Sequence, residues 1–249
     1  MALRDFDEST LWQVNAFPRP RAETTGSGFG PVRSVMLPSA LIAALSQLES
    51  RQTSLPILEV LAACVRHREN ALILLRLGGL VWPLTLFPQH NLHHLPRSII
   101  ASLRENGRDL AVIAVEPAGL HPPRHGQVER MSEGPGCRVN QPLLWAMAMY
   151  APFSGLVAGI GGRAAYKITA DTSDDGLAGG AVKFSLQRLR HDIASLHDVA
   201  AWPGMGIERA ARLLNGAYLQ GGLRILRTHP AARDEALAGA REPWLRRWR

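Results

Sequence analysis

Six of the nine histidines lie between His67 and His125: His67, His90, His93, His94, His121 and His125. Imidazole can ligate zinc or move a proton near neutral pH, so this cluster is the first place to look for chemistry. A zinc site needs three or four converging ligands, and on a strand His93 and His94 point to opposite faces. No HExxH helix or adjacent cysteine pair completes a set, so the cluster reads as histidines of a surface turn. The two cysteines, Cys64 and Cys137, are too few for a disulfide framework or a four-thiolate site and read as reduced, one of them buried. Neither Cys64 nor Ser154 has a base nearby in sequence, and no GxSxG elbow is present. The acidic run Asp171-Thr-Ser-Asp-Asp-Gly176 lacks the alternating oxygens and terminal Glu of a calcium loop and reads as solvated.

One run has the outline of a phosphate cradle. Gly159-Ile-Gly161-Gly162-Arg163-Ala164 matches a relaxed dinucleotide fingerprint, with Lys167 nearby as a phosphate contact should the loop be concave. Such a fingerprint works when it follows a strand and opens a helix, so that free amides meet the pyrophosphate. Leu156-Val157-Ala158 is too short a strand, and Tyr166–Thr169 reads as a strand where a helix is needed. A flexible turn is expected, and an enzyme with a nucleotide cofactor bound near 159–167 is kept only as a second alternative. The sequence assigns no catalytic residue, no cofactor and no metal ligand.

Charge says more about partners than about chemistry. The 249-residue chain carries 28 Lys+Arg against 21 Asp+Glu, a net charge of +7. Arg outnumbers Lys 26 to 2, as composition bias in a GC-rich genome would produce. Residues 163–249 hold 14 basic and 9 acidic residues, so +5 of the +7 belongs to that part. A cationic C-terminal half is drawn to nucleic acid, an anionic membrane or an acidic partner. Apolar residues at 46% and charged ones at 20% exclude collagen-like and wholly disordered classes.

The elements follow from local patterns. Residues 1–37 mix Pro, Gly, Ser and Thr and read as a mobile arm, and its first ten residues are too acidic and polar for a secretory signal. Residues 38–116 read as an α+β interaction module. Helices open at Ser39 and at Ser54-Leu-Pro56, and two strands, Ala71–Leu77 and Leu80–Phe87, meet at Gly78-Gly79. Pro83 within the second strand predicts an edge or bulged position. A short strand at Leu92–Leu95, a helix near Ser98–Glu105 and a strand at Leu110–Val115 complete the module. Residues 117–141, rich in Pro and Gly, read as a linker or long loop.

Beyond the linker, residues 142–240 read as a mainly helical domain, with helices at Leu143–Tyr150, Val182–Leu189, Ile193–Ala201 and Ile207–Leu219. The uncharged run 139–162 is broken by Pro142 and Pro152 and fits a buried helix and turn, so no integral membrane segment is expected. Residues 241–249 form an Arg/Trp tail whose Trp244 and Trp248 either contact a partner or pack back as one stripe. The fold class expected is α+β, a helix/β-meander module followed by the helical domain, in a cytoplasmic protein.

Two resemblances bear on function. A short helix at Ser195–Trp202, the turn Pro203-Gly-Met-Gly206, the helix Ile207–Leu219 and a strand at Leu223–Leu226 resemble the winged helix-turn-helix family. The resemblance implies Arg209, Arg212 and Asn215 as contact residues, with Arg224 and Arg227 on the wing side. Glu208 would oppose a phosphate, and Ala210, Ala211 and Gly216 suit close packing. Residues 54–115, with Ser54–Leu61, Asn70, Ala71–Leu77 and Gly79, resemble the PATAN-type modules of bacterial signalling proteins. That resemblance implies a non-enzymatic module that binds partner proteins, although Asn91 stands where the second hairpin turn usually has Gly. The sequence reading is a non-enzymatic bacterial regulatory or adaptor protein with a protein partner; the alternative is a DNA-binding regulator reading DNA with helix 207–219.

Overall fold

The computed structural model describes residues 11–13, 36–50, 55–118, 120, 137–152, 155–169 and 179–232. The chain is α+β and divides into two compact units: Met1–Leu143 with Tyr150–Pro152, and Leu144–Met149 with Phe153–Arg249. Most of the expected N-terminal arm and of the 117–141 loop, and all of the Arg/Trp tail, lie outside the described residues.

The first unit is built on an antiparallel sheet ordered β5-β2-β3-β4-β6, with β1 (Trp12–Gln13) also paired to β3. Here β2 is Ala71–Leu77, β3 Leu80–Phe87, β4 Leu92–His94, β5 Ala111–Pro117 and β6 Cys137–Val139. Gly78 and Gly79 close the β2–β3 hairpin at φ +59° and +74°, angles that favour glycine. Helix α1 (Ser39–Glu49) packs on α2 (Ile57–His67), and α3 (Ile100–Asn106) contacts β2. Pro56 precedes the first turn of α2, where a missing N–H costs no helical bond.

Pro83 corrects an expectation, because β3 is a central strand with partners on both edges. The strand tolerates it through register. The pair closing a two-residue hairpin, Leu77↔Leu80, is hydrogen-bonded, so Leu74↔Pro83 falls in the non-bonded class and the proline nitrogen faces away from β2. On that other edge, among the described residues, β1 pairs with Leu80 and Val81, and β4 with Thr85–Phe87. Pro83 occupies the gap between them. The bulge lies instead in the β2–β5 pairing, between Leu74 and Leu75.

Helix α4 (Asn140–Tyr150) links the two units in sequence. The second unit holds a three-stranded antiparallel sheet, β8-β7-β9, made of Ala194–Ser195, Ala165–Ile168 and Leu223–Leu226. Helices α5 (Gly180–His191), α6 (Leu196–Ala200) and α7 (Ile207–Leu219) accompany it. The expected single helix over 193–201 is instead a short strand followed by α6. Ser195 forces that break: its hydroxyl accepts the Asp198 amide at 3.2 Å while the Asp198 carboxylate accepts the Ser195 amide at 2.7 Å. This reciprocal capping box starts the helix at Leu196. At the far end of α7, Gly221 (φ +77°) ends the helix: its amide donates to Tyr218 O, and the Gly222 amide to Ala217 O, each at 2.9 Å. The chain then turns directly into β9.

Candidate functional site

The surface named by the sequence centres on α7 and the strand after it, and its residues have diverged in role. Asn215 is wholly buried and cannot reach a partner, which corrects its assignment as a contact residue. Its side-chain oxygen accepts the Val157 amide at 3.0 Å and its Nδ2 donates to Gly155 O at 2.9 Å. Burying an amide side chain is stabilising only when its hydrogen bonds are met, and here two backbone groups of a loop meet them. Arg212 is committed as well: Nε donates to Glu208 at 2.9 Å and Nη1 to Ala148 O at 3.1 Å. Arg227 is exposed, but its guanidinium donates to the carbonyls of Gly161 (3.1 Å) and Gly159 (3.4 Å).

These contacts give the carbonyls of the glycine-rich loop their partners. Its carbonyls face donors: Arg227 binds Gly159 and Gly161, and the Tyr166 hydroxyl donates to Ile160 O at 2.7 Å. The loop leads into strand β7, where a dinucleotide fingerprint would open a helix. Lys167, on β7, is half-buried.

The exposed residues of α7 lie at its beginning, with Arg212 and Tyr218 half-buried further along. Ile207, Glu208 and Arg209 are exposed, whereas Ala210, Ala211 and every residue from Leu213 to Ala217 are buried. Arg209 retains an exposed guanidinium, with Nη1 on Gly204 O at 2.7 Å, and Arg224 is exposed on β9. Trp244 and Trp248 lie outside the described residues. The burial of α7 has a packing cause: a Cβ added at Gly216 would stand 2.7 Å from the Trp145 ring and 3.4 Å from Ala148.

Two large apolar side chains of the same unit are exposed. Phe184 on α5 is 73% exposed and Ile207 at the start of α7 is 52% exposed. Each stands three residues along the chain from the contact between α5 and the turn before α7, where a Cβ on Gly204 would lie 2.9 Å from Ala181. One turn beyond Phe184, the Arg188 guanidinium stacks 4.5 Å from the Trp202 ring centroid and binds Asp192 at 3.0 Å. An open cleft of about 690 Å³ adjoins them, lined in part by Arg188, His191, Trp202 and His229. Phe184 and Trp202 were visible in the sequence only as members of helical patterns; nothing there marks one as exposed and the other as stacked.

The histidine cluster also changes. His93 is 4% exposed on β4, not part of a surface turn, and burial, then the neighbouring Arg138 and His94, depress its pKa to about 3. It lies in register with Leu86 on one side and Arg138 on the other. His94, on the opposite face, is in register with Cys137, a cysteine–histidine pairing that sequence distance concealed. Burial raises the Cys137 pKa and lowers that of His94, the reverse of what a thiolate–imidazolium nucleophile requires. Both cysteines are buried, and burial pushes the Cys64 thiol up to about 12. Among the described residues no three His, Cys, Asp or Glu side chains converge as a metal site, and no helix is long and apolar enough to cross a membrane.

Compared with known proteins, the chain matches no protein-family model, no curated protein and no solved structure.

Proposed function

We propose that this chain is a non-enzymatic regulatory or adaptor protein that acts through protein–protein contacts, with the partner received on α5 and the turn before α7. The observation that carries this reading is the exposure of Phe184 and Ile207, each three residues from the Ala181–Gly204 contact. Fully burying such a side chain in an interface contributes about 1.5–3 kcal/mol. The Arg188–Trp202 stack beside them supplies the residue types that dominate binding energy at protein interfaces. A cytoplasmic location is part of the same proposal. The helix and meander of α2, β2, β3 and β4 support it from the other unit, by their likeness in order to PATAN-type modules.

The DNA-reading alternative draws on the order α5-β8-α6-α7-β9, which is winged-helix-like, with β7 entering the sheet from earlier in the chain. A helix in the major groove reads bases with several polar side chains along one face. In α7 the exposed set ends at Arg209, and Arg212 and Asn215 are spent on backbone carbonyls and an amide. That burial favours the protein-partner reading. The test pairs affinity capture by the full chain with the variant Phe184→Ser/Ile207→Ser. Loss of a captured protein at unchanged melting temperature supports the proposal. A salt-sensitive shift of duplex DNA, lost in Arg209→Ala/Arg224→Ala, would overturn it.

A further inference from the structure

Ala181, Phe184 and Arg188 recur at i, i+3 and i+7 and so share one face of α5. Two of them touch the segment before α7: Ala181 lies against Gly204, and the Arg188 guanidinium stacks on the Trp202 ring. Phe184 falls between those two contacts along the helix, yet it remains 73% exposed. The Arg209 guanidinium reaches the same segment from α7, with Nη1 donating to Gly204 O at 2.7 Å. Lys183, next to Phe184 in the chain, is exposed as well. These contacts bring three cations, Lys183, Arg188 and Arg209, to the neighbourhood of one uncovered phenyl ring.

The charge of this helix is one-sided. Over Gly180–His191, α5 carries Lys183, Arg188 and Arg190 and no acidic residue. The carboxylates that follow or adjoin it are engaged within the unit. Asp192 is held by Arg188 at 3.0 Å and Glu208 by Arg212 at 2.9 Å. Asp198 accepts both the amide and the hydroxyl of Ser195 at 2.7 Å. Among the described residues no carboxylate bridges Lys183 or Arg209. An exposed apolar ring gains by leaving water, and cations without an anion gain by meeting one. Both needs are met by one kind of segment, an apolar side chain with carboxylates beside it.

We propose that the partner engages this face through an acidic peptide segment, whose apolar side chain packs on Phe184 while its carboxylates meet Lys183 and Arg209. The inference rests on the reading of α5 and the turn before α7 as a protein-docking surface, and it adds the chemistry of what docks there. Phe184 supplies the apolar burial, and the charges set which partner is accepted and how fast it arrives. A nucleic acid strand fits less well. Bases need open rings to stack on, and the Trp202 ring already has Arg188 over it. A phosphate chain also carries a charge at every nucleotide and would have to pass Asp192 or Glu208. A peptide can place its carboxylates only where Lys183 and Arg209 stand.

The experiment places a photoreactive phenylalanine derivative at position 184 of the full chain in the cell of origin and sequences the cross-linked peptide by mass spectrometry. A synthetic copy of that peptide is then titrated into the purified native chain and followed by fluorescence anisotropy. The cross-linked segment is expected to carry a net negative charge and an apolar side chain. Its copy is expected to bind the native chain, and to bind Lys183→Glu/Arg209→Glu about tenfold more weakly. A copy with Gln and Asn in place of Glu and Asp is expected to weaken alike, a comparison that stands even if the double variant fails to fold. A neutral or basic segment, or binding indifferent to both changes, overturns this inference and leaves the docking surface in place. No adduct at 184 overturns the docking surface and the inference with it. An adduct that only nuclease removes identifies a nucleic acid and overturns both.

Discussion

The side-chain oxygen of Asn215, midway along α7, accepts the backbone amide of Val157 at 3.0 Å, across 58 residues of sequence. With Nδ2 on Gly155 O, the same amide ties the glycine-rich loop to a buried helix. A residue that resembles a base-reading contact is thereby a pin of the second unit. Asn215→Ala is expected to strip partners from the buried Val157 amide and the part-buried Gly155 carbonyl, at a cost of about 1–3 kcal/mol for the amide and less for the carbonyl. Urea unfolding checks this, and a midpoint equal to that of the native chain would contradict it.

Gly216→Ala tests the packing one residue further on. The new methyl would enter within 2.7 Å of the Trp145 ring, so the helix or the ring must give way. Overpacking of this kind costs about 1–3 kcal/mol despite alanine's better helix propensity. A lower melting temperature with a shifted tryptophan emission is the expected outcome.

His93 gives a pH signature. Its folded pKa, about 3, lies below its ordinary value of 6.5, so between those values the unfolded chain takes up a proton that the folded chain refuses. This site leaves stability untouched above pH 6.5 and lowers it by about 1.4 kcal/mol per unit as the pH falls toward 3. His93→Phe removes that share of the acid sensitivity. Unfolding midpoints of the native chain and the variant, compared at pH 7 and pH 4.5, should converge or cross as the pH falls.

Cysteine reactivity follows burial. With Cys64 pushed up to about 12 and Cys137 also raised, neither thiol is expected to react with an aromatic disulfide reagent at pH 7.5 until the chain unfolds. Rapid modification of the folded protein would contradict the burial of both.

What the sequence revealed was what short-range rules encode. The Gly78-Gly79 hairpin, the start of α2 after Pro56 and the bounds of α7 follow from turn chemistry and apolar periodicity within a few residues. Pro83 and the 193–201 segment were misread because pairing on the far edge of β3 and the Ser195–Asp198 box override local propensity. The site was less legible still. His93 meets Arg138 only through β4–β6 pairing, and Asn215 meets Val157 only through tertiary packing. Periodicity placed Asn215 on a helix; it could not say that a loop's amide would claim its oxygen.

The central claim is that α5 and the turn before α7 receive a protein partner. Its most direct measurement installs a photo-cross-linking amino acid at position 184 of the full chain in the cell of origin, with position 108, exposed in the first unit, as control. A discrete protein adduct at 184 and none at 108 is the predicted result. Equal labelling at both positions, or an adduct at 184 that only nuclease removes, would contradict it.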